Sequence, residues 1–139
     1  MATIISHSPE DTLQFGKTCG GAARNGEVFA LDGDLGAGKT HFVKGLVKAL
    51  GYTEEVTSPT FTLVHEYPCE PWPVFHFDFY RLESVDEALA LDFDGYLARE
   101  GIIVVEWASK FPGLFPRGTR WLRFEIGEGD ERRIVEVES

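Results

Sequence analysis

The sequence predicts an α/β fold. It reads as a three-layer domain whose central sheet is mixed and mainly parallel, with an antiparallel C-terminal hairpin. Three observations carry this. A glycine-rich run, Gly33 to Thr40, lies between a short apolar strand and a helix. Gly101-Ile102-Ile103-Val104-Val105-Glu106 is a continuous β-branched run, the pattern of a strand buried on both faces in a parallel sheet. Arg120 to Ile126 and Arg132 to Val137 flank a polar Gly127–Glu131 turn, as the arms of a hairpin do.

The elements follow in chain order. Ser8-Pro9-Glu10-Asp11 is a helix start, with a serine cap, proline in the first turn and acids behind it; the helix runs to about Arg24. Asn25-Gly26 ends it, and 27–31 is a strand. A helix is expected over 41–50, closed by Gly51. Phe61 to Tyr67 and Trp72 to Arg81 read as strands around a Pro68–Pro71 turn. Ser84-Val85-Asp86-Glu87 is a capping box, so a helix starts near Val85. Asp92 to Gly95 interrupts it, and Tyr96 to Glu100 continues as a second short helix. The segment 108–119 is a Gly/Pro-rich loop, and the whole, 1–139, is one domain.

Composition narrows the classes. With 43% hydrophobic and 26% charged residues, the chain can bury a core. No apolar run reaches membrane-spanning length and no basic-then-apolar leader opens it, so a cytoplasmic protein without membrane attachment is expected. Cys19 and Cys69 fit no metal spacing and read as free thiols; the four histidines show no H-x-x-x-H pair. A net charge of −10 repels phosphate backbones, so autonomous nucleic-acid binding is not expected. An acidic surface suits a basic protein partner, and serves solubility equally well.

Gly33-Asp34-Leu35-Gly36-Ala37-Gly38-Lys39-Thr40 matches G-x-x-x-x-G-K-[ST], the phosphate-binding P-loop, in the strand-to-helix context that motif requires. Glycines let the backbone curl so that amides point inward at a phosphate chain, and the helix N-terminus adds its partial positive charge. Lys39 is expected on the β- and γ-phosphates and the Thr40 hydroxyl on Mg²⁺. With its neighbours Gly33, Leu35, Gly36, Ala37, Gly38 and His41, this loop is the expected nucleotide cradle.

The loop needs a carboxylate at the metal, and the usual source is an acid at the end of a neighbouring buried strand. Glu106 fits, either holding Mg²⁺ directly or through water, or orienting the attacking water. Asp78 is the second candidate. In Phe75-His76-Phe77-Asp78-Phe79-Tyr80 the period of two puts the phenylalanines on one face and His76, Asp78 and Tyr80 on the other. Ser58-Pro59-Thr60 lies where a γ-phosphate-sensing switch loop would sit, with Thr60 or Ser58 as the sensor; a plain proline turn is the competing reading. Trp107 is open between stacking on a ring, a partner interface and ordinary packing. Arg81 is open between a phosphate, an acid and a partner protein. No N-K-x-D-like guanine reader occurs, which leaves ATP as the nucleotide.

Taken together, Gly33–Thr40, Thr57-Ser58-Pro59-Thr60-Phe61-Thr62-Leu63, His76-Phe77-Asp78-Phe79-Tyr80-Arg81-Leu82 and Val105-Glu106-Trp107 resemble the signature blocks of the TsaE (YjeE) family, in family order and spacing. The resemblance runs from about Pro9 to the terminal hairpin. It implies a P-loop ATPase of threonylcarbamoyladenosine synthesis on tRNA, acting with partners similar to TsaB and TsaD. TsaD carries the transferase chemistry in that family, and the TsaE-like subunit hydrolyses ATP to sustain turnover. It also implies a catalytic set of Lys39, Asp78 and Glu106, a Mg²⁺ set of Thr40, Asp78 and Glu106, and Pro9, Asp11 and Thr12 near the adenine. Thr60, as the switch-loop candidate, and Trp107, as a stacking candidate, are added to the expected nucleotide-binding residues from their positions in the sequence. His41 stands where the family often has a second threonine, and Thr57 where some members have lysine. With no arginine finger in place except Arg81, hydrolysis by the free chain is expected to be slow. The competing readings are a small-molecule kinase and a nucleotide-gated binding module without turnover.

Overall fold

A computed structural model describes residues 2–34, 36–57, 59 and 62–137. They form strands β1 (Ala2–Ser6), β2 (Val28–Asp32), β3 (Val64–Tyr67), β4 (Val74–Asp78), β5 (Ile102–Glu106), β6 (Arg120–Ile126) and β7 (Arg132–Val137). The helices are α1 (Pro9–Ala22), α2 (Lys39–Ala49), α3 (Val85–Ala90) and α4 (Phe93–Ala98). The seven strands make one sheet in the order β1-β7-β6-β2-β5-β4-β3. Its middle, β6-β2-β5-β4, is parallel, and the β1-β7, β7-β6 and β4-β3 pairs are antiparallel. The expected mixed sheet with a parallel core and an antiparallel C-terminal hairpin is therefore present.

Alternation along the central strands divides two cores. Phe29, Leu31, Ile102, Val104 and Val74 face one side, with Phe42, Val43, Leu46 and Val47 of α2. Val28, Ala30, Ile103, Val105, Phe75 and Phe77 face the other, with Ala88 of α3 and Phe93 of α4. This gives the third layer. Two buried faces explain why every residue of β4 and β5 is buried and why β5 is apolar in all but its last position.

Helix α1 lies directly on α2 because glycines remove the side chains between them. A Cβ on Gly16 would strike the Phe42 carbonyl, and one on Gly45 would strike the Leu13 carbonyl. Ser8 caps α1 by accepting from the Asp11 amide at 3.2 Å, and Ser84 caps α3 through the Glu87 amide at 3.3 Å, as their sequences predict.

Several boundaries differ from expectation. β1 carries no strand signal strong enough to read alone, because only one of its faces meets the core; β7 recruits it. Helix α1 stops at Ala22, and Ala23 is already extended. Helix α2 begins at Lys39, not His41, since Gly38 is its N-cap. The strand expected over 72–81 is only Val74–Asp78, and that over 61–67 is Val64–Tyr67. Helix α4 begins at Phe93, not Tyr96: Asp92 turns the chain in a left-handed conformation and the helix restarts at once. The 108–119 loop contains two short 3-10 turns, Ala108–Lys110 and Pro112–Leu114. Cys19 and Cys69 are free and buried, and burial pushes each thiol up to about 11.

Candidate functional site

The C-terminal ends of β2, β4 and β5 meet at the start of α2. The chain leaves β2 at Asp32 and passes through Gly33 at φ 142 and Gly38 at φ 102, both in the region only glycine occupies freely. A Cβ on Gly33 would also stand 2.5 Å from the Phe124 carbonyl oxygen, so β6 presses against this turn. The first turn of α2 then presents its amides toward the same end of the sheet as the strand termini.

Lys39 is 95% buried although it carries a charge (5% exposed). Its ammonium donates to the Gly33 carbonyl and stands 4.1 Å from the centre of the Trp107 ring. Burial pulls its pKa below the ordinary lysine value, and the Glu106, Asp78, Asp32 and Asp34 carboxylates partly counter that pull. The lysine is thus the positive centre of an acidic pocket. Thr40 follows, half-buried, at the second position of α2.

Asp78 and Glu106 close β4 and β5 and face each other in the parallel register. Both are buried (2% and 4% exposed), and both share the α2 face with Val74 and Val104. An Asp78 carboxylate oxygen accepts from the Tyr80 amide at 2.8 Å, pinning the turn after β4. Behind the acids, fully buried His76 contacts Glu106, Nε2 to Oε2 2.7 Å. The expected shared face of His76 and Asp78 is present. Tyr80 leaves it: the strand ends at Asp78, so Tyr80 turns outward, is 47% exposed, and packs on Trp107 with ring centres 4.9 Å apart. Trp107 adopts φ 59, a left-handed value unusual for so large a side chain, and this carries its ring over Lys39.

On the other flank, Pro9, Thr12, Gly36, Gly38 and His41 line a cleft of ≈ 70 Å³. Asp130 of the β6–β7 turn and Arg132 at the start of β7 complete it, and Arg132 Nε donates to the Gly36 carbonyl at 3.1 Å. Thr12 is buried and shares a 2.7 Å hydrogen bond with the Ser6 hydroxyl. Asp11 does not line the cleft; it is exposed and accepts from the His7 amide at 3.0 Å. Ala37 is buried beneath the loop, its amide donating to the Asp34 carbonyl at 3.1 Å. Arg81 is exposed beyond β4. Leu35, Thr60 and Ser58 lie outside the described residues. Asp130 and Arg132 carried no sequence signal as site residues, because only the β1–β7 pairing, which sets Ser6 opposite Arg132, brings the hairpin turn beside the start of α1. Two wider grooves, ≈ 470 Å³ around Tyr52, His65 and Tyr96 and ≈ 640 Å³ around Phe115 and Trp121, contain no residue of the 33–40 loop.

A parallel strand entering a glycine loop, a helix that starts with a buried lysine and a half-buried threonine, and acids on the adjacent strand ends define a P-loop protein of the α/β class. Residues 6–135 match the family model described as "Threonylcarbamoyl adenosine biosynthesis protein TsaE", and the chain belongs to that family. The Bacillus subtilis (strain 168) tRNA threonylcarbamoyladenosine biosynthesis protein TsaE is 40% identical over 128 residues, 92% of this chain and 80% of that protein. The Treponema pallidum (strain Nichols) protein of the same name is 35% identical over 94% of this chain and 96% of its own length. A crystal structure of Bacillus subtilis YdiB superposes with a TM-score of 0.80 at 33% identity, covering 97% of this chain and 83% of that one. Among the described residues no helix is long and apolar enough to cross a membrane.

Proposed function

We propose that this chain is the Mg²⁺-dependent ATPase subunit of the assembly that makes threonylcarbamoyladenosine on tRNA, working with partners similar to TsaB and TsaD. Membership of the TsaE family supports the pathway. The observation that carries the chemistry is the register pairing of Asp78 with Glu106 at the end of the sheet where Lys39 and Thr40 begin α2.

The donor set suits Mg²⁺. Among the described residues no group of three His, Cys, Asp or Glu side chains could cage a metal. Thr40, Asp78 and Glu106 would hold the cation with few protein ligands, which suits Mg²⁺, an ion that usually keeps several waters. When bound by these residues, Mg²⁺ would supply charge neutralisation for the phosphates. Lys39 leaves the Gly33 carbonyl for the phosphate oxygens, the loop amides hold the chain in line, and Glu106 or Asp78 positions the attacking water. The cleft of Pro9, Thr12, His41 and Arg132 receives the nucleoside end.

The test is phosphate release from ATP by the purified chain, alone and with its TsaB- and TsaD-like partners, with Mg²⁺ and with chelator. Slow Mg²⁺-dependent release that rises when partners are added is expected. Phosphate appearing on an added small acceptor would instead make the chain a kinase. Release at background even with partners, alongside ATP-dependent partner binding, would make it a gated module without turnover.

A further inference from the structure

We propose that His76 is a positioning residue for Glu106: its imidazole fixes the rotamer of that carboxylate and aims the second carboxylate oxygen at the phosphate end of the site. The inference rests on the reading of Glu106 as a metal- or water-handling acid.

Four observations carry it. The Nε2–Oε2 contact of 2.7 Å is short, as charge-assisted hydrogen bonds are. His76 is 0% exposed and Glu106 4%, so no bulk water competes for the bond. The register places His76 opposite Val104, two residues before Glu106 on the same face, so the bond runs diagonally between neighbouring strands that cannot slide. His76 Nδ1 is the buried side-chain polar atom that finds no partner among the described residues. A buried nitrogen without a partner costs stability. An apolar residue would fill this core position without that cost, so packing alone does not account for a histidine here. A carboxylate accepts, so Nε2 is the donor in this bond.

The ring is itself held. Tyr67 packs beside it at 6.1 Å between centres, and the Tyr67 hydroxyl donates to the Thr57 carbonyl at 3.2 Å. Glu106 is therefore braced from behind by a fully buried side chain that packs against Tyr67. Outer partners of this kind orient a ligating group without touching metal or substrate, and their removal characteristically costs about 10- to 100-fold.

The experiment compares His76→Gln, His76→Ala and His76→Asn in the full chain. Glutamine presents an amide N–H near the position of Nε2, asparagine is too short to reach Glu106, and alanine presents nothing. ATP affinity is measured by calorimetry with Mg²⁺ and with chelator, beside kcat and KM for phosphate release. Expected for His76→Ala and His76→Asn is a metal-free affinity within about twofold of wild type, a smaller gain in affinity on adding Mg²⁺, and a kcat lower by about tenfold. His76→Gln restores most of both. In a Glu106→Gln background, His76→Ala causes no further loss. If alanine fails to fold, the contrast between glutamine and asparagine decides. An equal loss from glutamine and asparagine, an effect on melting temperature alone, or an undiminished effect in the Glu106→Gln background would each overturn the proposal. Failure of the parent reading is seen separately, as unaltered Mg²⁺ response and turnover in Glu106→Gln itself.

Discussion

Asp78 and Glu106 occupy one rung of the sheet, directly opposite each other across parallel strands, although 27 residues of chain and two helices separate them. Two carboxylates on one rung, beside a single buried ammonium, concentrate negative charge where a divalent cation would be held. Asp78→Asn and Glu106→Gln are each expected to keep metal-free ATP affinity within about twofold and to lower phosphate release by roughly 10- to 100-fold. Calorimetry with and without Mg²⁺, set beside a phosphate-release assay, checks this. Full turnover in both variants would place the metal elsewhere.

The Lys39 ammonium donates to the Gly33 carbonyl and lies beneath the Trp107 ring. Hydrogen bonds to charged groups are worth about 1.5–3 kcal/mol, so Lys39→Ala should weaken Mg-ATP by roughly 10- to 100-fold. Thermal unfolding of the variant without nucleotide should change little, since removing the ammonium also removes its burial cost, which outweighs the pull of its carboxylate neighbours. Stabilisation of the wild type by added ATP, absent from the variant, is the measurement. An ATP-induced shift of equal size in both would remove the P-loop assignment.

The parallel core and the acids on it were legible because each is a local pattern. Ile102 to Glu106 shows its burial on two faces within five residues, and His76 and Asp78 declare a common face by alternation. The contribution of Arg132 was not legible, because it depends on β1 and β7 pairing from opposite ends of the chain. Tyr80 was misplaced because alternation says nothing about where a strand stops; the Asp78 carboxylate ends it by capturing the Tyr80 amide. The missed arginine gives a prediction. Arg132 ties Gly36 to the hairpin turn through its own bonds to the Gly129 and Glu131 carbonyls, 2.7 and 2.8 Å. Arg132→Ala frees the loop and is expected to weaken ATP about three- to tenfold, with kcat at saturation nearly unchanged. A titration followed by saturating kinetics separates the two, and a fall in kcat at unchanged affinity would contradict the assignment.

Gly45 sits in the middle of α2, where alanine would ordinarily raise helix stability by about 1 kcal/mol. Here a methyl group would meet the Leu13 carbonyl of α1, a backbone atom that moves only if the helix moves. Overpacking of this kind costs about 1–3 kcal/mol, so the steric term wins. Gly45→Ala is expected to unfold at a lower denaturant midpoint with an unchanged slope. A variant as stable as wild type would mean that the α1–α2 spacing relaxes freely.

Arg120 binds Glu136 through two bonds, 2.8 and 2.9 Å, and stands over the Phe29 ring, joining β7 to β2 across β6. The hydrogen bond from Arg120 holds the Glu136 carboxyl below its ordinary value of 4.5, against the opposing effect of burial. A carboxylate with a depressed folded value stabilises the fold fully above its unfolded value, and that contribution disappears as the pH falls through the folded one. Glu136→Gln should therefore cost about 1 kcal/mol at pH 7, since a two-pronged guanidinium–carboxylate pair exceeds an ordinary surface pair but is partly screened at 28% exposure. The difference between variant and wild type should shrink as the pH drops below about 4.5 and close in stronger acid. Urea unfolding at a series of pH values reads this directly. A difference that stays constant down to acid pH would show that the pair acts through packing and not through the charge on Glu136.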